Sequence, residues 1–232
     1  MIVIAEFCSN IAIHDWNFTD FCEAAARAGA TDVKIQLYKA THFPTQEQSE
    51  KRITEFPRDK LEQFATIARA HRLKPGASCF DFEAIDLCER YLDFIKLATR
   101  EERSFDLLLK AHMTGLPIYR SIDFRKFQKT GVARTLFDET ILGCIPEYPT
   151  KGYASQFPIG IEDLPRPFGW SSHTRSFGDV ETAVIRGATV IEKHLALSRD
   201  DPEAGWSLLP DEFKQMVERI KRAEDRRYSY YG

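Results

Sequence analysis

Short apolar runs alternate along the chain with stretches whose apolar positions recur at helical spacing. The runs IVIAEF (2–7), DVKIQL (32–37), KPGASCF (74–80), LDFIKLA (92–98), PIYRSID (117–123), TILGCIPEY (140–148), FGWSSH (168–173) and TVIEKHLAL (189–197) read as eight strands bounded by polar residues. Between them, 18–30, 57–71, 82–91, 104–115, 178–188 and 210–227 read as helices. In the first of these, Phe18, Phe21, Cys22, Ala25 and Ala28 share a face and Gly29 supplies the stop. Ser104 is the expected N-cap and Gly115 the stop of another, and Pro210 opens the last. The polar stretch 39–57 gives no clear element. The crossover 124–139 is the weakest helix in the series. The connection 149–167 holds four prolines and no helical period, so its helix is expected to be short or missing. Eight strands separated by mostly helical crossovers predict a parallel sheet, and in one domain spanning 1–232 they predict an α/β fold, a (β/α)8 TIM barrel. An open doubly wound sheet usually has fewer strands and often a glycine-rich first turn, and EFCSN has no glycine.

Composition narrows the class. The 232 residues are 43% hydrophobic and 29% charged, which excludes a disordered chain, a collagen-like chain and a coiled coil. The formal charge of −3 offers no strong field for nucleic acid or an anionic membrane. There is no apolar stretch of about 18 residues, and the N-terminus lacks the basic flank of a signal peptide. The five cysteines are scattered in mostly apolar settings without a CxxC pair, so buried free thiols in a reducing cytoplasm are expected.

In such a barrel the site lies at the C-terminal ends of the strands. Lys34 and Lys96 stand inside apolar runs, where an unpaired ammonium costs several kcal/mol or loses its proton. An anionic partner explains them better, either a phosphate or carboxylate ligand or an ion pair with Glu6 or Glu101. Ser121 and Ser171 could donate to the same oxygens or simply be solvated at strand ends. His173 and His194 end the seventh and eighth strands, neighbours in a barrel. Together they suit one divalent ion or a substrate, although either alone would read as a core histidine. Glu6 and Glu101 are the carboxylates placed for proton transfer or for orienting a metal-bound water. Gln36, Tyr148 and Glu192 also fall at strand ends. The acidic segment 198–206 is either a solvated loop or one that reaches over the mouth with Glu203 facing substrate. His14, His42, His71 and His112 read as surface or structural.

Several motifs carry a resemblance. Ala5-Glu6, Val33-Lys34-Ile35-Gln36, Ile95-Lys96 through Glu101, Cys144 through Tyr148-Pro149, GWSSHT (169–174), Gly187 through His194 and SLLPDEF (207–213) occur in order. In these the chain, from residue 2 to about 220, resembles the sialic acid synthase (N-acetylneuraminate synthase) family. The resemblance implies a barrel that condenses phosphoenolpyruvate with an open-chain N-acyl hexosamine of the N-acetylmannosamine type, giving a nine-carbon 2-keto sugar acid and phosphate. It implies Glu6 and Glu101 as catalytic groups. Lys34, Lys96, Ser121 and Ser171 would hold phosphoenolpyruvate, and Gln36, Tyr148 and Glu203 the sugar. His173 and His194 would hold a divalent metal, manganese first, with magnesium or cobalt as alternatives. The chain departs from the family at Ser172, where an aspartate is usual, and at Arg100, Asp123, Pro146 and Glu203. The family's C-terminal antifreeze-like domain has no counterpart in these residues, so the expected partner is a homodimer or a separately encoded domain. Two other readings stand beside this one: a degenerate barrel that binds a sugar or a protein without condensation, and a sugar lyase using Lys96 as a Schiff base.

Overall fold

A computed structural model describes residues 1–151 and 158–231, with side chains described up to residue 225. The strands are β1 (Ile2–Glu6), β2 (Asp32–Leu37), β3 (Lys74–Cys79), β4 (Phe94–Leu97), β5 (Ile118–Asp123), β6 (Glu139–Cys144), β7 (Phe168–Ser172) and β8 (Val190–His194). Each pairs in parallel with the next, and β8 pairs with β1 in the register Glu6 opposite His194, closing an eight-stranded barrel. The helices are α1 (Phe18–Arg27), α2 (Gln48–Ile53), α3 (Leu61–Ala70), α4 (Phe82–Tyr91), α5 (Phe105–Met113), α6 (Phe124–Thr130), α7 (Gly178–Ile185) and α8 (Pro210–Tyr231).

Alternation along each strand sorts the side chains. Outward residues such as Val3, Ile35, Ile95 and Ile191 join Phe21, Phe64 and Phe213 of the helices in one large core. Inward residues build layers. Ile4, Phe94, Tyr119, Leu142 and Val190 form a separate apolar plug. Two residues further along the same strands come Glu6, Lys96, Ser121 and Glu192, so the barrel interior turns polar towards its C-terminal end. Gly76 is required by the plug: a Cβ there would lie 2.3 Å from the Phe94 ring.

Helix starts follow from capping chemistry. Asn17, Asp81 and Asp123 each accept a backbone N–H of the first turn, from Asp20, Ala84 and Arg125 respectively. Ser104 stands at the N-cap of α5 as expected, but its hydroxyl makes no capping bond. The sixth strand stops at Cys144 rather than running on to Tyr148, because Pro146 has no N–H to continue the ladder. The weak crossover after β5 is the seven-residue α6, and among the described residues only a single 3-10 turn (Ile161–Asp163) lies between β6 and β7. The polar stretch after β2 does hold a short helix, α2, which buries no residue and so shows no apolar period. No helix among the described residues is long and apolar enough to cross a membrane.

Candidate functional site

The floor of the site is a cluster of charges inside the barrel, above the apolar plug. Glu6, Lys34, Lys96 and Glu192 are each 4% exposed or less. Lys34 is ion-paired with Glu6, donates to Ser78 Oγ at 2.7 Å, and lies 3.8 Å from Glu192 Oε2. Glu192 Oε1 accepts from Lys96 Nζ at 3.1 Å and from Ser171 Oγ at 2.7 Å. Lys34, Lys96 and Ser171 therefore converge, as the sequence suggested, but on Glu192 of the chain itself. Burial pulls the Lys34 ammonium down to about 7 against the attraction of Glu192. Burial alone would raise the Glu192 carboxyl, but Lys34 and then Lys96 hold it well below the usual carboxylate range. The hydroxyl of Ser121 is buried without a hydrogen-bond partner. A buried donor left unpaired costs about 1–3 kcal/mol, so a ligand oxygen would satisfy it.

At the rim, the rings of His173 and His194 lie 5.5 Å apart. His173 Nδ1 bonds the Ile145 carbonyl at 2.8 Å, and His194 Nδ1 bonds Glu203 Oε2 at 2.8 Å. Both partners are acceptors, so both Nδ1 atoms donate, which leaves Nε2 as the atom each ring would offer a ligand. This is the outer-shell arrangement that metal-ligating imidazoles show. Burial, and then the His194 ring beside it, push the His173 imidazole down to about 3, so it is neutral at physiological pH. The residues present thus fit a divalent cation. Cys8 Sγ, His194 and Glu203 also lie together, one ligand atom of each within 4.8 Å of the others.

Above them opens a cavity of about 690 Å³ lined by Cys8, Gln36, Tyr38, Phe80, Arg100, Tyr148, His194, Glu203 and Trp206, among others. Tyr148 packs its ring 4.2 Å from that of His173, and Trp206 lies 5.7 Å from Tyr148. Arg100 stacks over Phe43 and Phe80 at the rim. The segment 198–206 does reach over the mouth. Asn10 holds it, accepting from Glu203 N at 2.9 Å and donating to Leu195 O and Ser207 Oγ.

Gln36, Tyr148, Glu203, His194 and His173 are thus brought to one mouth, and Lys34, Lys96, Ser171 and Glu6 lie in its floor. Glu101 is not brought there: it sits on a 3-10 turn (Thr99–Glu101), paired with Arg100 Nε at 3.2 Å, and the cavity is lined by Arg100 instead. Sequence reasoning assigned no role to Glu192, Asn10, Cys8 or Trp206. The alternation in VIEKH, with Val190, Glu192 and His194 facing inward, was the signal that could have found Glu192. Cys8 departs from the expected buried thiol: it is half-buried and lines the cavity, while the other four cysteines are buried and all five are free.

A closed (β/α)8 barrel with its polar floor and open mouth at the strand C-termini defines the class to which the molecule belongs. More narrowly, the chain belongs to the NeuB family, whose sequence pattern matches residues 21–229. It is 32% identical over 170 residues to a pseudaminic acid synthase of Helicobacter pylori, covering 68% of this chain and 50% of that protein. It is 26% identical over 184 residues to the N-acetylneuraminate-9-phosphate synthase of Drosophila melanogaster, covering 73% of this chain and 49% of that one. The chain therefore spans about half the length of these relatives. The crystal structure of a sialic acid synthetase from Leptospira borgpetersenii superposes with a TM-score of 0.84 at 21% identity, covering 97% of this chain and 84% of that chain, which shows the shared fold.

Proposed function

We propose that this barrel condenses phosphoenolpyruvate with the aldehyde of an open-chain N-acyl hexosamine, of the N-acetylmannosamine type, to give a nine-carbon 2-keto sugar acid and phosphate. The observation that carries the reading is the convergence of Lys34, Lys96 and Ser171 in the floor, with the unpartnered Ser121 hydroxyl, below two imidazoles whose Nδ1 atoms are already engaged.

Phosphoenolpyruvate carries a phosphate and a carboxylate, and two ammonium groups with two hydroxyls complement both. Glu192 neutralises the lysines within the protein, and a bound anion would share them. In the reaction the methylene carbon bonds to the aldehyde carbon, whose oxygen takes up a proton. Water adds at the cationic C2, and the C2–O bond to phosphate breaks. Glu6 is the carboxylate placed at the floor to move the proton of that water, and Glu101 stands outside the cavity. Gln36, Tyr148 and Glu203 line the volume left for the sugar. His173 and His194 would hold a divalent ion, manganese first, with magnesium or cobalt as alternatives. When bound it supplies Lewis-acid polarisation of the aldehyde oxygen. Lys96 Nζ is engaged by Glu192 at 3.1 Å, and Schiff-base chemistry would have to break that pair.

The test is phosphate release from phosphoenolpyruvate with manganese and a panel of N-acyl hexosamines. Turnover with one sugar, lost in His173→Ala and His194→Ala, is the expected result. Phosphoenolpyruvate left intact with every sugar would overturn the reading in favour of a non-condensing binder.

A further inference from the structure

We propose that Cys79 and Cys88 form an oxidisable pair, which hydrogen peroxide converts to a disulfide that locks α4 onto the end of β3. The inference stands apart from the condensation reading, since neither thiol lines the cavity.

The geometry comes first. Cys79 ends β3, Cys88 stands in α4, and their sulfurs lie 3.3 Å apart. A disulfide bond is about 2.0 Å long, so each sulfur has to move only about 0.6 Å towards the other. Both thiols are free and wholly buried. The other three have different surroundings. Cys8 Sγ lies 3.8 Å from Ser9 Oγ, Cys144 Sγ lies 2.9 Å from Thr99 Oγ1, and Cys22 is packed in the apolar core.

The helix supplies a second observation. Only Ala84, Ile85 and Cys88 of α4 are buried, and Phe82 at its start is exposed. Such an element opens more readily than the barrel strands, and its opening uncovers both thiols. Closed, the pair is quiet. Burial, and then the Cys88 thiol beside it, push the Cys79 thiol well above its ordinary value, so the reactive thiolate is scarce.

When α4 opens, the Cys88 sulfur attacks one oxygen of the peroxide. The O–O bond breaks, an S–O bond forms, and the thiol proton leaves with the other oxygen as water. The Cys79 sulfur then attacks the sulfenic acid at Cys88. The S–S bond forms, the S–O bond breaks, and a second water leaves with the Cys79 proton. The two thiols have lost two electrons to the peroxide, which ends as two waters. The ring so closed holds Phe80 of the cavity wall and Asp81, which caps α4 and accepts from Arg58. Oxidation therefore stiffens one wall of the mouth.

One tryptic peptide reports the bond. Residues 73–90 carry both cysteines, because Pro75 blocks cleavage after Lys74. The folded protein is treated with hydrogen peroxide, quenched with catalase, and capped with iodoacetamide in denaturant before digestion. Peptide 73–90 should emerge uncapped and lighter by two hydrogens, and should become doubly capped if dithiothreitol precedes capping. The two-hydrogen loss should vanish in Cys79→Ser and in Cys88→Ser. Amide exchange across α4 should slow about tenfold or more in the oxidised protein. A doubly capped peptide at every dose that leaves the protein folded, added oxygens without the two-hydrogen loss, or pairing of either sulfur with Cys8, Cys22 or Cys144 would each overturn the proposal. So would exchange across α4 that oxidation leaves unchanged.

Discussion

Glu192 joins the two lysines that the site depends on. Without it, Lys34 and Lys96 would be two ammonium groups, almost fully buried, facing Glu6 alone. Removing one partner of a buried charge cluster costs about 3–5 kcal/mol, because the remaining charges keep their desolvation penalty. Glu192→Gln is therefore expected to lower the denaturation midpoint strongly at pH 7. The same change leaves an excess of positive charge where an anion would bind. Phosphoenolpyruvate should then raise the melting temperature of the variant by more than it raises that of the wild type. Equal shifts in the two proteins would show that the anion does not sit on these lysines. The partners of Lys34 and Lys96 were only half legible in the sequence. That each needed an anion followed from its position in an apolar run. That the anion stands on the eighth strand did not, because Lys96 and Glu192 are 96 residues apart in the chain and meet only once the barrel is closed.

Among the elements, the junction of β7, β8 and α7 shows how the chain secures the loop that follows His173. Lys193 faces outward, fully buried, and donates to Ser172 Oγ at 2.7 Å and to the Thr174 carbonyl. Asp179, at the start of α7, accepts from Trp170 Nε1 at 2.9 Å and from Thr174 Oγ1. Ser172 offers the lysine only a hydroxyl, and burial pulls its ammonium from 10.5 to about 8, against Asp179 and Glu212. In the window between about 8 and 10.5 the unfolded chain binds more protons at this lysine than the folded chain does. Stability contributed by this group therefore rises with pH across that window, and its burial cost is fully present below 8. Lys34 contributes with the same sign, starting near 7. Above about 9 the buried thiols of Cys22 and Cys144, which burial pushes up to about 12 and about 11, act with the opposite sign, so the test is the difference between wild type and Lys193→Met in urea denaturation from pH 7 to pH 10.5, which should rise with pH above 8 and stay level between 7 and 8. A variant whose curve parallels the wild type throughout would remove Lys193 from the account. Elements were legible wherever a buried face imposed a period, as in α1 and α4, whose observed spans match or nest within those expected. They were not where a helix buries nothing, as in α2, or where a cap residue lacks its bond, as at Ser104.

The whole barrel is unevenly clothed. On one side α1, α3 and α8 cover β1 to β3 with Phe21, Phe64 and Phe213 in the core. On the other, the seven-residue α6 and the irregular segment 131–138 lie against β5 and β6. Besides Phe124 and Phe127 of α6, which join the core, a polar clasp fastens this side. Arg120, pointing out of β5, donates twice to Glu139 Oε1, at 3.1 and 2.8 Å, and once to the Arg134 carbonyl, while Leu136 N reaches the same carboxylate. His112 stacks on Phe137 at 4.3 Å and adds an aromatic clasp. Because closure leaves no edge strand, exchange of the strand amides should require global opening, whereas segment 131–138 opens on its own. Arg120→Met strands the Glu139 carboxylate, whose side chain is wholly buried, and should cost about 3–5 kcal/mol in urea denaturation. Arg120→Met combined with Glu139→Leu removes both charges and should recover most of that loss, since an apolar pair of similar volume often equals a buried ion pair. Hydrogen exchange should then show faster opening of 131–138 in both variants, because the Arg134 carbonyl is released in each and the Leu136 amide as well in the double variant. If the double variant is as unstable as the single one, the pair supports the barrel through packing rather than charge. The thin side of the molecule would then owe its closure to the aromatic clasp.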